Sequence, residues 1–216
     1  MNKRNGIIFD LDGTLLHTLE DLADSVNTVL ARRGCPEHPV DAFREFVGDG
    51  MPMLVRRAVP PELDDEIVYR EYLPEVREEY YRRWALKTSP YPGILEVLEA
   101  LRNKGLPLAV LSNKPHESTL KTVEHFFPAE YFSVVQGALP DRAVKPDPEL
   151  AWEISVQMGL EPSEIYLVGD SDVDIYTARS AGMISVGAAW GFRGRAELER
   201  AGATYILDYP EDLLNL

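Results

Sequence analysis

Short apolar strands alternate with helical segments through the second half of the chain, and no other feature of the sequence narrows the choice of fold as far. The apolar spacing predicts helices at residues 94–104, 116–126, 148–158, 172–181 and 195–201. Each helix leads into a predicted strand, at residues 106–111, 131–136, 165–168, 184–188 and 204–207. Such alternation indicates a parallel sheet with helices on both faces, because the crossover between two parallel strands is usually a helix.

A further strand of this sheet is expected near the start of the chain, separated from the others by a helical stretch. Ile7, Ile8 and Phe9 form the apolar run of that strand, and the apolar spacing is helical from about residue 16 to residue 86. The sequence therefore predicts a doubly wound, Rossmann-like α/β core at residues 1–15 and 87–216, with an α-helical cap domain at residues 16–86 inserted after strand one.

Two local features of the helical stretch can be predicted in more detail. Thr18 is placed to cap the first helix, with Asp21 three residues further on as its capping-box partner. The spacing over Leu63–Leu86 predicts one long helix, which Pro74 could kink.

Composition and charge exclude several classes of protein. The 216 residues carry a net charge of −14, which argues against a nucleic-acid-binding surface and means that an anionic substrate must be attracted locally. Cys35 is the only cysteine, so no disulfide can form within the chain, and no apolar run is long enough to span a membrane. We therefore expect a cytoplasmic protein that binds neither nucleic acid nor membrane, and make no prediction of its oligomeric state.

Two carboxylates stand at the end of the first predicted strand. Asp10 and Asp12 follow the apolar run directly, and Gly13 marks the turn that leaves the strand. Buried acids are costly unless something binds them, and a hard cation such as Mg²⁺ prefers oxygen ligands. The alternative is an ordinary turn with two solvated acids.

Other polar residues are expected at the same edge of the sheet. They are Ser112, Asn113 and Lys114 after the second strand, Lys145 before a helix, and Asp170 and Asp174 after a later strand. Taken singly, they can be read as a turn or cap residue, a surface cation, and acids suited to a helix N-terminus. Their placement together favours a functional site, because ligands bind at the carboxyl ends of the strands in such sheets.

The chemistry of this set suits phosphoryl transfer. Asp10 and Asp170, with Asp174 nearby, could hold Mg²⁺. The Ser112 hydroxyl could bind phosphate oxygens, and Lys145 could offset the charge of the transferring group. A carboxylate can form an aspartyl-phosphate, and an adjacent acid can protonate the leaving oxygen and later deprotonate water.

In these motifs the sequence resembles the haloacid dehalogenase (HAD) superfamily, in the branch of Mg²⁺-dependent phosphatases with a helical cap after the first strand. The motifs are Phe9-Asp10-Leu11-Asp12-Gly13-Thr14-Leu15, Ser112-Asn113-Lys114, Lys145-Pro146, and Gly169-Asp170-Ser171 with Asp174. Four motifs in order along the core make the resemblance specific.

The resemblance implies roles for individual residues. Asp10 would be the nucleophile and Asp12 the general acid/base, with Ser112 and Lys145 binding phosphate. Mg²⁺ would be held by Asp10, the backbone carbonyl of Asp12 and Asp170, with Asp174 in support. The wider predicted substrate-binding set is Thr14, Ser112, Asn113, Lys145 and the cap loop Gly48-Asp49-Gly50.

Within the superfamily, the closest likeness is to phosphoglycolate phosphatases. Asp12 argues against a dehalogenase, which lacks the second acid, and the stretch from Leu16 to Leu86 has no lysine for the Schiff base of the phosphonate-cleaving members. Supporting segments are Val47–Gly50, Tyr91–Gly93, Ser112–Pro115 and Trp190–Gly194. His17 departs from the family, which commonly has an acid there, and this bears on the hinge of the cap.

The resemblance thus implies a Mg²⁺-dependent phosphomonoesterase acting on a small phosphorylated metabolite, with 2-phosphoglycolate as the leading candidate. The alternatives are a pyrophosphatase, a sugar-phosphate phosphatase or a phosphomutase of the same superfamily. A catalytically idle binding protein is disfavoured, because all four motifs are intact.

Overall fold

The computed structural model describes residues 5–216, in which the chain folds into two compact units. One unit comprises the chain up to Leu16 together with Pro90–Leu216, and the other is His17–Ser89. The short strands Leu16–His17 and Ser89–Pro90, where the chain passes from one unit to the other, pair as a two-stranded sheet. Among the helices of residues 5–216, none combines the length and the apolar character that a bilayer span requires.

The unit formed by His17–Ser89 is built of helices. They are α1 (Leu19–Arg32), α2 (Phe43–Phe46), α3 (Gly50–Ala58), α4 (Asp65–Ile67) and α5 (Leu73–Arg83). A 3₁₀ turn at Val40–Ala42 precedes α2. The helices α1 and α5 pack against each other and bury apolar side chains that include Val26 and Val76.

The long helix predicted over Leu63–Leu86 is interrupted in the structure. A π-helical turn at Val68–Tyr72 joins α4 to α5, and α5 ends at Arg83. Pro74 lies in the first turn of α5, where its missing N–H costs little. Its ring would clash with a regular helix continued from the N-terminal side, and the π-helical turn lies at that place.

The capping box predicted between Thr18 and Asp21 is wrong. Thr18 stands at the N-cap position of α1 but makes no side-chain capping hydrogen bond. The Asp21 carboxylate, which is 1% exposed, instead accepts hydrogen bonds from the backbone N–H groups of Lys87 and Thr88 at 3.0 and 2.8 Å and from the Thr88 hydroxyl at 2.8 Å. A buried carboxylate needs several donors, and this distant segment supplies more of them than the N-terminus of α1.

We expect Asp21→Ala to lower the free energy of unfolding by about 3 kcal/mol, because it leaves the buried backbone N–H of Thr88 and the partly buried N–H of Lys87 without an acceptor. Chemical denaturation followed by circular dichroism measures the loss. The control is Glu20→Ala on the same helix, whose exposed carboxylate pairs with Lys87 Nζ at 3.4 Å and should cost at most about 1 kcal/mol. Equal effects of the two substitutions would contradict the structural role given to Asp21.

The other unit is built on a six-stranded parallel sheet. Its strands are β1 (Gly6–Phe9), β2 (Leu108–Pro115), β3 (Val134–Ala138), β4 (Ile165–Gly169), β5 (Ile184–Ala188) and β6 (Tyr205–Leu207). Their order across the sheet is β3-β2-β1-β4-β5-β6, and every pair is parallel. This is the doubly wound order, whose direction of winding reverses between β1 and β4.

Helices cover both faces of this sheet, as the alternation in the sequence predicts. They are α6 (Ile94–Asn103), α7 (His116–Phe126), α8 (Glu149–Met158), α9 (Asp172–Ala181) and α10 (Arg195–Ala201). Ile7 and Phe9 pack into the apolar cluster that contains the buried side of α6, whereas Ile8 packs into the cluster that contains α8. Alternate residues of a strand point to opposite faces, so one short run of β1 serves two cores. The predicted α/β fold is confirmed.

Two strand boundaries differ from the prediction by more than two residues. The strand predicted at residues 131–136 begins at Val134, because Phe132 lies in the loop before the strand and packs edge-on against Phe9 with ring centroids 6.5 Å apart. Its apolar character reflects core packing and not a place in the sheet. The strand predicted to end at Leu111 continues as far as Pro115, with a shift of register on the way, and thereby includes Ser112 and Asn113.

Candidate active site

The first and fourth strands bring two of the predicted acids together. Phe9 at the end of β1 lies opposite Val168 in β4, so Asp10 and Asp170 leave neighbouring strands at the same edge of the sheet. This is the point where the winding of the sheet reverses, which is where ligands bind in doubly wound folds. Both side chains are buried, with 7% and 3% of their surface exposed.

Three buried carboxylates and one lysine form the centre of the site. Oxygen atoms of Asp10, Asp170 and Asp174 all lie within 4.8 Å of one another. The Lys145 ammonium donates to Asp10 Oδ1 at 2.7 Å and to Asp174 Oδ1 at 2.6 Å. The structure thus assembles four of the residues predicted from separate parts of the chain.

Burial and mutual proximity change the pKa values of these side chains. Burial raises the pKa of Asp10 to about 7, with the charges of Asp174 and Asp12 adding to the effect and Lys145 opposing it. Burial and the neighbouring carboxylates also raise the pKa of Asp170 well above its ordinary value. Burial alone would lower the pKa of Lys145, but the charges of Asp10 and Asp174 outweigh it and raise that pKa. Lys145 therefore stays protonated, but its single positive charge does not balance the negative charge of the clustered carboxylates.

Asp174 is held on both of its oxygens. Oδ1 accepts from Lys145, and Oδ2 accepts from the Ser171 hydroxyl at 2.8 Å and the Ser171 backbone N–H at 3.2 Å. The contacts with Ser171 form a capping box at the start of α9. Asp174 thus orients Lys145 and is itself held by the start of α9.

Asn113 fixes the segment that carries Lys145. Its side-chain amide donates to the Lys145 carbonyl oxygen at 3.1 Å, and its Oδ1 accepts from the Lys145 N–H at 2.9 Å. This pairing ties the loop before α8 to the end of β2. Asn113 was predicted to bind substrate, and these contacts favour a positioning role instead.

Lys114 is a member of the site to which the sequence assigned no role. Its ammonium donates to both oxygens of Asp12, at 2.9 and 3.0 Å, and its side chain is only 7% exposed. Its position two residues after Ser112, at the end of a central strand, was the available signal. Lys114 therefore fixes the orientation of the second acid of the first motif.

Thr14 and Ser112 complete the group at this edge. The Thr14 hydroxyl is buried 3.5 Å from Asp170 Oδ1, and Ser112 Oγ accepts from the Lys114 N–H at 3.2 Å. Gly13, with φ +97°, lies so close to Asp170 that a Cβ there would be 2.5 Å from Oδ2. A side chain at residue 13 would both strain the backbone and displace the carboxylate.

The predicted cap loop lies in the helical unit. Gly48 precedes α3, Asp49 is its N-cap residue and Gly50 its first residue. The Asp49 carboxylate pairs with Arg57. The cationic pairs Arg56–Arg57 and Arg82–Arg83 all form ion pairs with acids of the same unit, namely Asp65, Asp49, Glu78 and Glu79. These contacts account for the arginines as structural features of the helical unit.

The residues present suit a divalent cation. Asp10, Asp12, Asp170 and Asp174 carry four negative charges when ionised, and Lys114 and Lys145 carry two positive charges. The difference is two charges, and carboxylate oxygens are the ligands that hard cations prefer. Lys145 occupies one oxygen of Asp10, so the other remains available to such an ion.

The sequence matches a protein family over most of its length. The family model described as haloacid dehalogenase-like hydrolase covers residues 7–188, which include every core motif listed above. The chain belongs to the haloacid dehalogenase-like hydrolases. The predicted resemblance and the prediction of an enzyme are thereby confirmed.

Relatives of this hydrolase carry a more specific name. The phosphoglycolate phosphatase of Haemophilus influenzae (strain 86-028NP) is 32% identical over 214 residues, which are 96% of each chain. That of Aquifex aeolicus (strain VF5) is 31% identical over 210 residues, 97% of this chain and 95% of the relative. A crystal structure from Haemophilus somnus 129pt, described as a predicted phosphoglycolate phosphatase, superimposes with a TM-score of 0.91 at 31% identity and covers 100% of this chain and 98% of that one.

Proposed function

We propose that this hydrolase releases phosphate from a small phosphorylated metabolite through a phosphoryl group carried on Asp10. The observation that supports this most strongly is the buried pair of Asp10 and Lys145, with Asp170 beside it at the reversal point of the sheet. A carboxylate next to a protonated lysine suits attack on a phosphoryl group, because the ammonium offsets the charge of the transferred oxygens.

In the proposed first step, an oxygen of Asp10 forms a bond to phosphorus. The bond between phosphorus and the ester oxygen breaks, and Asp12, which takes up a proton from solvent when the substrate binds, gives that proton to the leaving oxygen. In the substrate-free structure Lys114 donates to both oxygens of Asp12, and Lys145 holds Asp10. The free alcohol departs, and the phosphoryl group stays on Asp10.

In the proposed second step, a water molecule attacks the phosphorus of the aspartyl-phosphate. Asp12, now ionised, takes the proton of that water, and the bond between phosphorus and Asp10 breaks. Inorganic phosphate is released and both acids return to their starting states. Asp12 thus serves as the acid in the first step and as the base in the second, and it regains the proton that it gave away.

Other residues would bind the phosphoryl group and a cation. We propose that Ser112 and Lys145 contact the phosphate, with Thr14 and Asn113 positioning the loops around it. Asp10, the backbone carbonyl of Asp12 and Asp170 would hold Mg²⁺, and Asp174 would support them. When bound, the ion offsets negative charge on the phosphoryl oxygens.

The leading substrate is 2-phosphoglycolate. The support for this choice is the name of the relatives, which match 96–97% of the chain at 31–32% identity. We propose that the helical unit acts as a cap, with Gly48, Asp49 and Gly50 approaching the substrate.

A panel of substrates tests the proposed function. We would measure phosphate release with Mg²⁺ from 2-phosphoglycolate, pyrophosphate, several sugar phosphates and p-nitrophenyl phosphate. A kcat/KM for 2-phosphoglycolate at least tenfold above the others supports the proposal. Preference for another member keeps the mechanism and replaces the substrate, and no release from any member would contradict a phosphatase.

Asp12→Asn is expected to slow alkyl phosphates more than aryl phosphates. The variant cannot protonate a leaving oxygen, and an aryl oxide needs less help than an alkoxide. We expect a loss in kcat/KM on the order of 10³-fold for 2-phosphoglycolate and at least tenfold less for p-nitrophenyl phosphate. Equal losses on both substrates would contradict Asp12 as the acid.

Stabilisation by Mg²⁺ is expected to increase with pH. The folded protein without the ion holds a proton on Asp10 up to about pH 7, whereas the unfolded chain loses it near the ordinary pKa of 3.8. The folded state therefore binds more protons in this window, so its stability falls as pH rises from about 4 to 7. Mg²⁺ replaces the protons, and its thermal shift at fixed concentration should be larger at pH 8 than at pH 5. A shift that is equal or larger at pH 5, after correction with NaCl of equal ionic strength, would contradict this.

A further inference from the structure

The segment after β5 reaches across two strands to the acids of the site. It leaves β5 at Ala188, and the Gly191 N–H donates to the Ala188 carbonyl oxygen at 3.1 Å, which turns the chain back. Because β5 lies beside β4, and β4 beside β1, this turn emerges next to the loops that carry Asp170 and Asp10. No role in the chemistry has been assigned to it above.

Both oxygens of Asp170 are controlled from this turn. The backbone N–H of Phe192 donates to Asp170 Oδ2 at 2.7 Å. The Trp190 indole N–H donates to the Thr14 carbonyl oxygen at 3.0 Å, and the Thr14 hydroxyl lies 3.5 Å from Asp170 Oδ1. One three-residue segment therefore holds Asp170 directly on one side and through Thr14 on the other.

Gly191 permits this approach because it has no side chain. A Cβ at this position would collide with Asp170 Cβ and with the carbonyl oxygen of Gly13, and it would lie 2.7 Å from Asp170 Oδ2. Gly191 is not among the glycines with positive φ in residues 5–216. Glycine is therefore required at this position because of the limited space beside Asp170. The backbone conformation of residue 191 would itself allow alanine.

We propose that Trp190, Gly191 and Phe192 form a positioning clamp that sets the orientation of Asp170 for divalent-cation binding. This inference rests on the proposed function, which makes Asp170 a ligand of Mg²⁺. Groups that orient a metal-binding carboxylate by hydrogen bonds and packing influence metal affinity strongly, although they do not touch the ion. The clamp consists of one backbone donor, one indole donor and one close approach, all from a single turn.

Direct binding of Mg²⁺ to the substrate-free protein tests the clamp. Calorimetric titration would be run on wild type, Gly191→Ala, Trp190→Phe and Gly187→Ala, together with thermal unfolding in chelator. Gly187→Ala is the matched control, because its Cβ would lie 2.9 Å from the buried side chain of Leu198, and the three atoms nearest to it all belong to Leu198 and none to an acid of the site. It should lower thermal stability without changing the dissociation constant for Mg²⁺.

Gly191→Ala is expected to raise the dissociation constant for Mg²⁺ by about 10- to 100-fold. Trp190→Phe keeps the ring but removes the donor to Thr14, and should raise it about threefold to tenfold without loss of folding. In both variants phosphate release should recover at high Mg²⁺ concentration, as a metal-binding defect requires.

Loss of thermal stability in Gly191→Ala with an unchanged dissociation constant for Mg²⁺ would overturn the clamp. If Gly191→Ala does not fold, a wild-type dissociation constant in Trp190→Phe would overturn it. If wild type itself bound no Mg²⁺, the metal assignment of the proposed function would fail, and the clamp with it. Because these titrations contain no substrate, a wrong choice of substrate leaves their outcome unaffected.

Discussion

Replacing Asp10 by Asn is expected to reduce phosphate release on the order of 10⁴-fold or more while the protein stays folded. An amide oxygen is a far weaker nucleophile than a carboxylate, so the first step of the proposed reaction is lost. The fold should tolerate the change, because burial already raises the pKa of Asp10 to about 7 and a neutral group of the same shape avoids that cost. The variant should unfold at a temperature equal to or above that of wild type in chelator.

The matched control is Asp172→Asn in the first turn of α9. Asp172 belongs to the same acidic run as Asp170 and Asp174 but lies outside the cluster of carboxylates. It should retain wild-type turnover within about twofold, since Asp172 is only half-buried and an acid at a helix N-terminus contributes on the order of 0.3–1 kcal/mol. Comparable losses in the two variants would indicate a general effect of charge and would contradict Asp10 as nucleophile.

Removing divalent cations is expected to lower turnover by about 10³-fold or more. A bound cation stabilises transition-state charge by several kcal/mol, and without it Asp10, Asp170 and Asp174 repel an incoming phosphate. Excess chelator during the substrate assay measures the loss, and a return to full activity on adding Mg²⁺ shows that it is reversible.

Calcium provides the sharper control for this prediction. Ca²⁺ takes more oxygen ligands in looser geometry, so it should bind to the carboxylates without restoring turnover, because the nucleophile and phosphorus would be misplaced. Full activity in excess chelator would contradict the metal assignment. Full activity with Ca²⁺ alone would contradict the argument from coordination geometry.

The alternation of strands with helices and the place of the acids could be predicted because both are local in the sequence. Asp10 follows directly on the apolar run of β1, and Asp170 on that of β4. A parallel sheet then brings the two strand ends to one edge without further information. Lys145 follows no strand directly, so its prediction depended on its place before a helix and on the chemistry of the other residues.

The partners of the charged groups could not be predicted in the same way. Asp21 was assigned to the N-terminus of its own helix, but its donors come from Lys87 and Thr88, far along the chain. Phe192 acts through a backbone N–H, which every residue except proline possesses, so its side chain gives no signal. Long-range contacts of this kind depend on tertiary packing and not on local spacing.

The covalent step can be observed directly by rapid acid quench with ³²P-labelled p-nitrophenyl phosphate. Asp12→Asn is the preferred variant, because the aryl group leaves without an acid whereas water attack on the intermediate still lacks its base. Our account predicts a burst of nitrophenol and label on the peptide that contains Asp10, released by hydroxylamine as expected for an acyl phosphate and absent when Asp10 is also replaced by Asn. Continued turnover by Asp12→Asn without a burst and without label on Asp10 would contradict the account.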